Sequence, residues 1–319
     1  MFFLNKTDLD KRFKLLRGEY DKLGISEELR GWNYDEPPVK PPSKSVTFGV
    51  SELAARYCPT LRDIYLKHVL RVKFPSSLKL IRGIILHYVA SESISLVKRT
   101  IYEKGLISGS QLVEELLSMT SEISKQALNK GRSISKEITE AHYEVLEKES
   151  NSFYRFLIIQ AASQVDQALS KFPHLNVDSL VNHAIPPISE RKVDGSLIGL
   201  SRELSIDIYN PPLAIADLKT GEIRPFHKYA PVGYALALEA DEGIEVNYGF
   251  TIYIKFLENR ETPVVKLRYY LLGDETRKEF LEIRDEAINI VMEGYDPGFP
   301  ENCPDYCPYY PVCKGGKLE

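Results

Sequence analysis

The residues best equipped for chemistry lie in two short runs. In Glu203-Leu-Ser-Ile-Asp-Ile-Tyr209, the apolar Leu204, Ile206 and Ile208 alternate with Ser205, Asp207 and Tyr209. Side chains along a strand alternate faces, so Asp207 is expected to point away from the apolar side. Asn210-Pro211-Pro212 follows as a turn signal. Next comes Leu213-Ala-Ile-Ala-Asp-Leu-Lys219, in which Asp217 and Lys219 share a face. A hairpin folded about Pro212 sets position 207 opposite position 217, with Cβ atoms about 4.5–5.5 Å apart. Two carboxylates at that spacing call for a divalent cation, and hard oxygen donors select Mg²⁺ or Mn²⁺. An acid pair holding a metal beside a lysine is equipment for phosphodiester hydrolysis: the metal polarises phosphate and water, and the amine neutralises developing charge. The same spacing also describes an ordinary hairpin whose Asp217 and Lys219 form a surface ion pair.

A second set of candidates is the four cysteines. Cys58 stands alone, and Cys303, Cys307 and Cys313 cluster near the C-terminus. Disulfides belong to oxidising compartments. Two metal centres fit the thiols. Structural zinc usually takes two short cysteine pairs, whereas iron–sulfur clusters accept a distant single ligand with a clustered trio. Either would tie residue 58 to residue 313.

The third candidate is His87, in Arg82-Gly-Ile-Ile-Leu-His87 on a predicted helix with an apolar face. From Ile64 through Ser91 there is no Asp or Glu, while Lys67, Arg71, Lys73, Lys79 and Arg82 are interleaved with Tyr65, Phe74 and Tyr88. Such a stripe suits a phosphate backbone and stacked bases. It equally suits a basic helix face paired with the acidic segment 114–149.

The elements that must carry these groups follow from periodicity. Residues 8–30 read as a helix, and the prolines between Asp35 and Ser45 as an extended linker. Helical spacing covers 50–70 with a break near Pro59, then 77–104, 110–130 and 136–172, the last two as a hairpin around Gly131. Beyond Pro173, β-type runs span 181–186, 197–209, 213–219, 246–257 and 263–271. Helices are expected at 226–241 and 274–293. Helices followed by a mixed sheet define an α/β (α+β) fold with a large helical insert.

The 319 residues suggest about two domains. The expected units are 1–45 (helical appendage and linker), 46–95 (first cysteine and His-bearing helix), 96–175 (helical insert), 176–295 (catalytic core) and 296–319 (cysteine-rich tail). With 41 Lys and Arg against 45 Asp and Glu, the net charge of −4 excludes a global field for nucleic acid or anionic membrane. No apolar run of membrane length is read from the sequence, and Met1-Phe2-Phe3-Leu4 does not open a secretory signal. A reducing cytoplasm and no membrane partner are expected.

Taken together, these motifs resemble the RecB-like PD-(D/E)XK nucleases that carry a cysteine-bound iron–sulfur cluster. Among these the chain is most similar to the CRISPR-associated exonuclease family, in its longer archaeal variant of type I-A systems. The resemblance rests on Gly49-Val-Ser-Glu-Leu-Ala-Ala-Arg-Tyr-Cys58-Pro59, Gly83-x-x-x-His87, Ile206-Asp207-Ile208, Asp217-Leu218-Lys219, Tyr234 and Cys303-Pro-Asp-Tyr-Cys307-Pro-Tyr-Tyr-Pro-Val-Cys313, in that order over residues 46–315. It implies a restriction-endonuclease-like sheet core, with Mn²⁺ or Mg²⁺ held by His87, Asp207, Asp217 and the Leu218 carbonyl. It further implies Lys219 as catalytic lysine, Tyr234 as the tyrosine of a Gln-x-x-x-Tyr motif, and a 4Fe–4S cluster on Cys58, Cys303, Cys307 and Cys313. The implied role is trimming single-stranded or overhanging DNA ends during spacer capture, with the CRISPR integrase subunits as partners. The chain departs from the pattern at Ala230, which stands in place of the glutamine, and at Asp217, which stands where glutamate is commoner. Ala230 and the insert leave a second reading open, a catalytically weak DNA-binding or scaffold subunit of the same machinery.

Overall fold

The computed structural model describes residues 2–73, 77–134, 138–211, 214–258, 260–304 and 306–315. Phe74 and the turn at Pro212 lie outside the described residues. In chain order the helices and strands are α1 (Lys6–Leu23), α2 (Val50–Ala54), α3 (Arg62–Ile64), α4 (Leu78–Lys104), α5 (Gly109–Leu117), α6 (Thr120–Ile134), α7 (Glu140–Lys171), α8 (Val177–Ala184), β1 (Ile188–Val193), β2 (Leu204–Asn210), β3 (Ala214–Lys219), α9 (Tyr229–Glu242), β4 (Tyr248–Lys255), β5 (Val264–Leu271), α10 (Asp274–Glu293) and α11 (Tyr310–Cys313). The five strands form one sheet in sequence order. β1, β2 and β3 pair antiparallel, β3 and β4 pair parallel across the α9 crossover, and β5 returns antiparallel.

Alternation along the central strands buries both faces. Ala216, Leu218, Phe250, Ile252 and Ile254 pack under α1 and α4 to α8. Ile206, Ile215 and Leu272 pack under α2, α9 and α10. The result is a mixed α/β sheet between two helical layers. α4 is long and apolar enough, by length and composition, to cross a membrane, which the run lengths in the sequence did not suggest. Ile81, Ile85, Leu86, Val89, Ile94, Val97 and Ile101 turn its apolar side into the protein interior.

Several expected elements are redrawn. Residues 181–186 are not a strand. Asn176 caps a helix by accepting from the Ser179 amide, and Leu180, Val181 and Ala184 give it a buried face. The expected strand 197–209 begins only at Leu204, and its start falls in a short 3₁₀ turn, Ser196–Ile198. The expected helix 110–130 breaks into α5 and α6, and the helix expected over 8–30 stops at Leu23. Gly131 lies inside α6 rather than in a loop, where a Cβ would come within 2.9 Å of Ile81. Its missing side chain lets α6 close on α4. No break separates residue 95 from 96, since α4 runs through both.

The N-terminal segment is built into the fold. Phe2, Phe3, Leu4, Leu9 and Phe13 are buried, and the Phe13 ring stacks on Tyr248 of β4 at 5.0 Å. The proline-rich stretch is a strap over α10: the buried Arg284 donates to the carbonyls of Val39 (2.6 Å), Ile198 (3.1 Å) and Pro38 (3.1 Å). Upstream, Gly31 crosses α9 so closely that a Cβ would lie 2.0 Å from the Leu236 carbonyl. A fully buried ion network locks this crossing. Glu239 of α9 accepts from Arg277 of α10 at 2.6 and 2.8 Å, from Arg30 at 2.9 Å and from the Gly31 amide at 2.9 Å.

Removing Glu239 would leave the fully buried Arg277 guanidinium with carbonyl acceptors but no carboxylate, while Arg30 keeps Glu245. Glu239→Ala is expected to cost about 3–5 kcal/mol, read as a lower denaturation midpoint. An unchanged midpoint would show that the network does not hold the strap.

Candidate active site

β2 and β3 pair through Ile208↔Ala216, and the next positions in that register are Asp207 and Asp217. There the ladder gives way to side chains. The Leu218 amide donates to Asp207 Oδ2 at 2.8 Å, so the carboxylate takes the place of a backbone acceptor. His87 reaches the same point from α4. Its Nδ1 lies 3.2 Å from Asp207 Oδ1, and its Nε2 lies 3.0 Å from the Leu218 carbonyl. Acceptors at both ring nitrogens describe an imidazolium. Burial alone would lower the His87 pKa, but the Asp207 carboxylate overrides it and leaves the group above its ordinary value.

Asp217 is buried and held by Lys219, whose Nζ lies 3.0 Å from Oδ1 and 2.9 Å from Oδ2. Only the first contact has hydrogen-bond geometry, and Oδ2 is left without a hydrogen-bond partner. Burial raises the Asp217 pKa against the pull of Lys219, with Asp207 adding to the rise. Asp207 goes the other way: burial is outweighed by His87 and the Leu218 amide, and its pKa falls. Lys219 keeps its proton, because Asp217 and Asp207 outweigh the cost of burying it. Tyr234 of α9 is buried, and burial followed by the charges of Asp207 and Asp217 pushes its pKa well up. Ala230, one turn earlier, is buried too.

Among the described residues, no three His, Cys, Asp or Glu side chains are gathered tightly enough to hold a metal as they stand. The donor chemistry nevertheless fits a hard divalent cation. His87, Asp207, Asp217 and the Leu218 carbonyl supply imidazole and oxygen only, and the orphaned Asp217 Oδ2 is a buried acceptor lacking a bond.

The four cysteines are all free thiols. Cys307 and Cys313 pack with Leu66, Val72 and Tyr309. Burial, then Asp63 and the thiols of Cys58 and Cys313, push the Cys307 thiol up to about 11. Cys313 is raised by burial and feels both Cys58 and Cys303. Arg62 clasps the two ends of the chain, meeting Asp296 at 2.7 Å and donating to Cys313 Sγ at 3.1 Å. Four neighbouring thiols outside any disulfide are a donor set that fits a thiolate-bound metal centre.

The basic stripe divides. Lys67 meets Glu52 at 2.6 Å, and Arg82 Nε meets Glu149 at 2.7 Å. Tyr88 donates to Gln126 at 2.8 Å and carries Lys130 over its ring. Arg71, Lys73 and Lys79 are exposed.

Sequence reasoning missed Glu190. It lines the same hollow as His87, Asp207 and Leu218. Its φ of 53° places a non-glycine residue in the left-handed region, where the β1–β2 ladder skips it. Strain of this kind gathers at functional sites. Nothing in the residue type announces it.

Sequence relatives supply the class. A Saccharolobus solfataricus protein named CRISPR-associated exonuclease Csa1 is 34% identical over 320 residues, covering 98% of this chain and 99% of that protein. A Thermoproteus tenax protein of the same name is 30% identical over 306 residues, covering 95% and 96%. The relatives are thus exonucleases by name, matched over nearly their whole length. The model of the CRISPR-associated exonuclease Csa1 family matches residues 1–317, and the chain belongs to that family. The match starts at residue 1, so the segment 1–45, expected to lie outside the resemblance, is part of what the family shares.

Glu190→Gly relieves the left-handed strain. It is expected to leave stability unchanged or raised by about 1 kcal/mol while nuclease turnover falls. A destabilised variant with full turnover would contradict a role for Glu190 at the site.

Proposed function

We propose that the chain is a metal-dependent PD-(D/E)XK exonuclease that trims single-stranded or overhanging DNA ends during CRISPR spacer acquisition, alongside the integrase subunits. The observation that carries this reading is the convergence of Asp207, Asp217, Lys219 and His87 at the β2–β3 ladder end. His87, Asp207, Asp217 and the Leu218 carbonyl would hold Mn²⁺ or Mg²⁺, which when bound polarises a phosphate and its attacking water. Lys219 contributes a fixed positive charge and N–H donors beside the scissile phosphate. Its raised pKa makes it a poor base and a good electrostatic partner. Tyr234 backs the acid pair, and its hydroxyl stays protonated beside the two carboxylates. To ligate through Nε2, His87 must give up the proton it shares with the Leu218 carbonyl, while Asp207 holds its Nδ1 side.

Cys58, Cys303, Cys307 and Cys313 would hold a 4Fe–4S cluster, which closes the N-terminal part of the chain on its tail. That role is structural: it fastens Cys58 and the preceding Tyr57, whose phenol responds to both Lys219 and Cys307, beside the lysine.

End-labelled single-stranded DNA incubated with Mn²⁺ is expected to be shortened by the wild-type protein. Lys219→Ala should lose about 10²–10³-fold in rate, Asp217→Ala at least as much, and a chelator should stop the reaction. Undiminished degradation by both variants would rule out these residues. The same protein, purified without air, is expected to be brown and to bleach on Cys307→Ser. A colourless protein with stoichiometric zinc would replace iron by zinc.

A further inference from the structure

The sheet register carries the site beyond its acid pair. Asp217 and Lys219 of β3 lie opposite Thr251 and Tyr253 of β4. Those two lie opposite Arg268 and Lys266 of β5. Paired residues of neighbouring strands project from one face, as do residues two apart along a strand. Two rows therefore lead outward, Asp217–Thr251–Arg268 and Lys219–Tyr253–Lys266. Each ends in an exposed cation on β5. In a chain of net charge −4, this places two solvent-facing cations in register with the acid and the lysine.

His227 meets these rows from the short turn Pro225–Lys228 that leads into α9. Its ring lies 5.5 Å from that of Tyr253. The Arg224 amide reaches its Nδ1 at 3.4 Å, and the Tyr253 hydroxyl does so at 3.0 Å. An amide can only donate, so Nδ1 is an acceptor and the ring proton sits on Nε2. The imidazole is neutral: burial, then Lys219, Arg224 and Arg268, drive its pKa down to about 3. A neutral N–H donor among three cations suits an anion that accepts hydrogen bonds. Arg224 itself pairs with Glu222 at 2.7 Å and lies 4.5 Å from the centre of the Tyr306 ring. Phe226 adjoins both His227 (5.2 Å) and Tyr306 (5.9 Å). These rings offer bases a stacking surface next to the cations, the combination that binds single strands.

We propose that His227 Nε2, Arg268 and Lys266 form a phosphate-binding rail that seats a single DNA strand on the β4–β5 side of Lys219. The proposal rests on the nuclease reading of the site and adds the residues that orient its substrate. It also shifts strand binding away from the basic stripe 67–82, where Lys67 and Arg82 are already engaged by carboxylates.

The test uses the full chain carrying Asp217→Ala, without divalent metal, and a 5′-fluorescein single-stranded oligonucleotide read by anisotropy over a salt series. In that background His227→Phe is expected to raise Kd about tenfold, and His227→Gln, which keeps an N–H donor, to recover most of the loss. Arg268→Ala and Lys266→Ala should each flatten the slope of log affinity against log salt by about 0.7. Melting temperatures matching the parent would exclude misfolding as the cause. Unchanged affinity and slope in the folded variants would overturn the rail. A wild-type protein that binds with this salt dependence yet cuts nothing would remove the nuclease reading and leave the rail standing.

Discussion

Two carboxylates, an ammonium and an imidazole cannot be packed together in a protein interior unless each neutralises part of another's charge, and the fold is organised around that balance. Asp207 is paid in hydrogen bonds from the Leu218 amide and in charge by His87, so it stays ionised. Asp217 has only Lys219, and burial leaves it reluctant to ionise. The asymmetry follows from position. Asp207 stands where the β2–β3 ladder ends and a backbone donor is free, whereas Asp217 lies inside the central strand with Thr251 beside it. An added positive charge would relieve both acids at once, which is the physical sense of a metal-dependent centre here.

The surrounding architecture holds those strands still. α4 carries His87 with Leu86, Val89 and Ala90 buried next to it, so the imidazole is aimed by packing on the insert side. On the opposite face, α9 brings Tyr234, and the Glu239–Arg277–Arg30 network fixes α9 to α10 and the N-terminal strap. The cysteine-bearing segments are tied to each other through Arg62 and Asp296. Thr60 donates to the Gly298 carbonyl at 2.9 Å in the same clasp. Tyr57, adjoining Cys58, senses both Lys219 and Cys307. The clasp therefore lies within electrostatic reach of the lysine.

Much of this was legible in the residues. Strict alternation in 203–209 and the Asn-Pro-Pro turn signal located β2 and β3 and set 207 against 217. The apolar spacing of 274–293 located α10 at its observed limits. Short apolar runs were less informative. Val181 to Ile185 satisfies either a strand or one turn of helix, and the Asn176 cap decided for helix. Gly131 read as a hairpin turn because a glycine needed for close packing looks the same in sequence as one needed for a bend. The integration of residues 1–45 was hidden for another reason: Phe2 and Phe13 find ring partners in Phe153 and Tyr248, more than a hundred residues away, and no local pattern encodes that. Glu190 and His227 were invisible for a different reason: the left-handed backbone at one and the hydrogen-bonded ring at the other arise from three-dimensional contacts that residue type does not announce.

The most direct test of the account is a titration with Mn²⁺, followed by the electron paramagnetic resonance signal of the free ion. The account predicts a tight site in the wild-type chain that is lost in Asp207→Asn and in Asp217→Asn while both variants melt as the wild type does. Retention of the tight site in both folded variants, or no uptake by the wild-type chain, would contradict it.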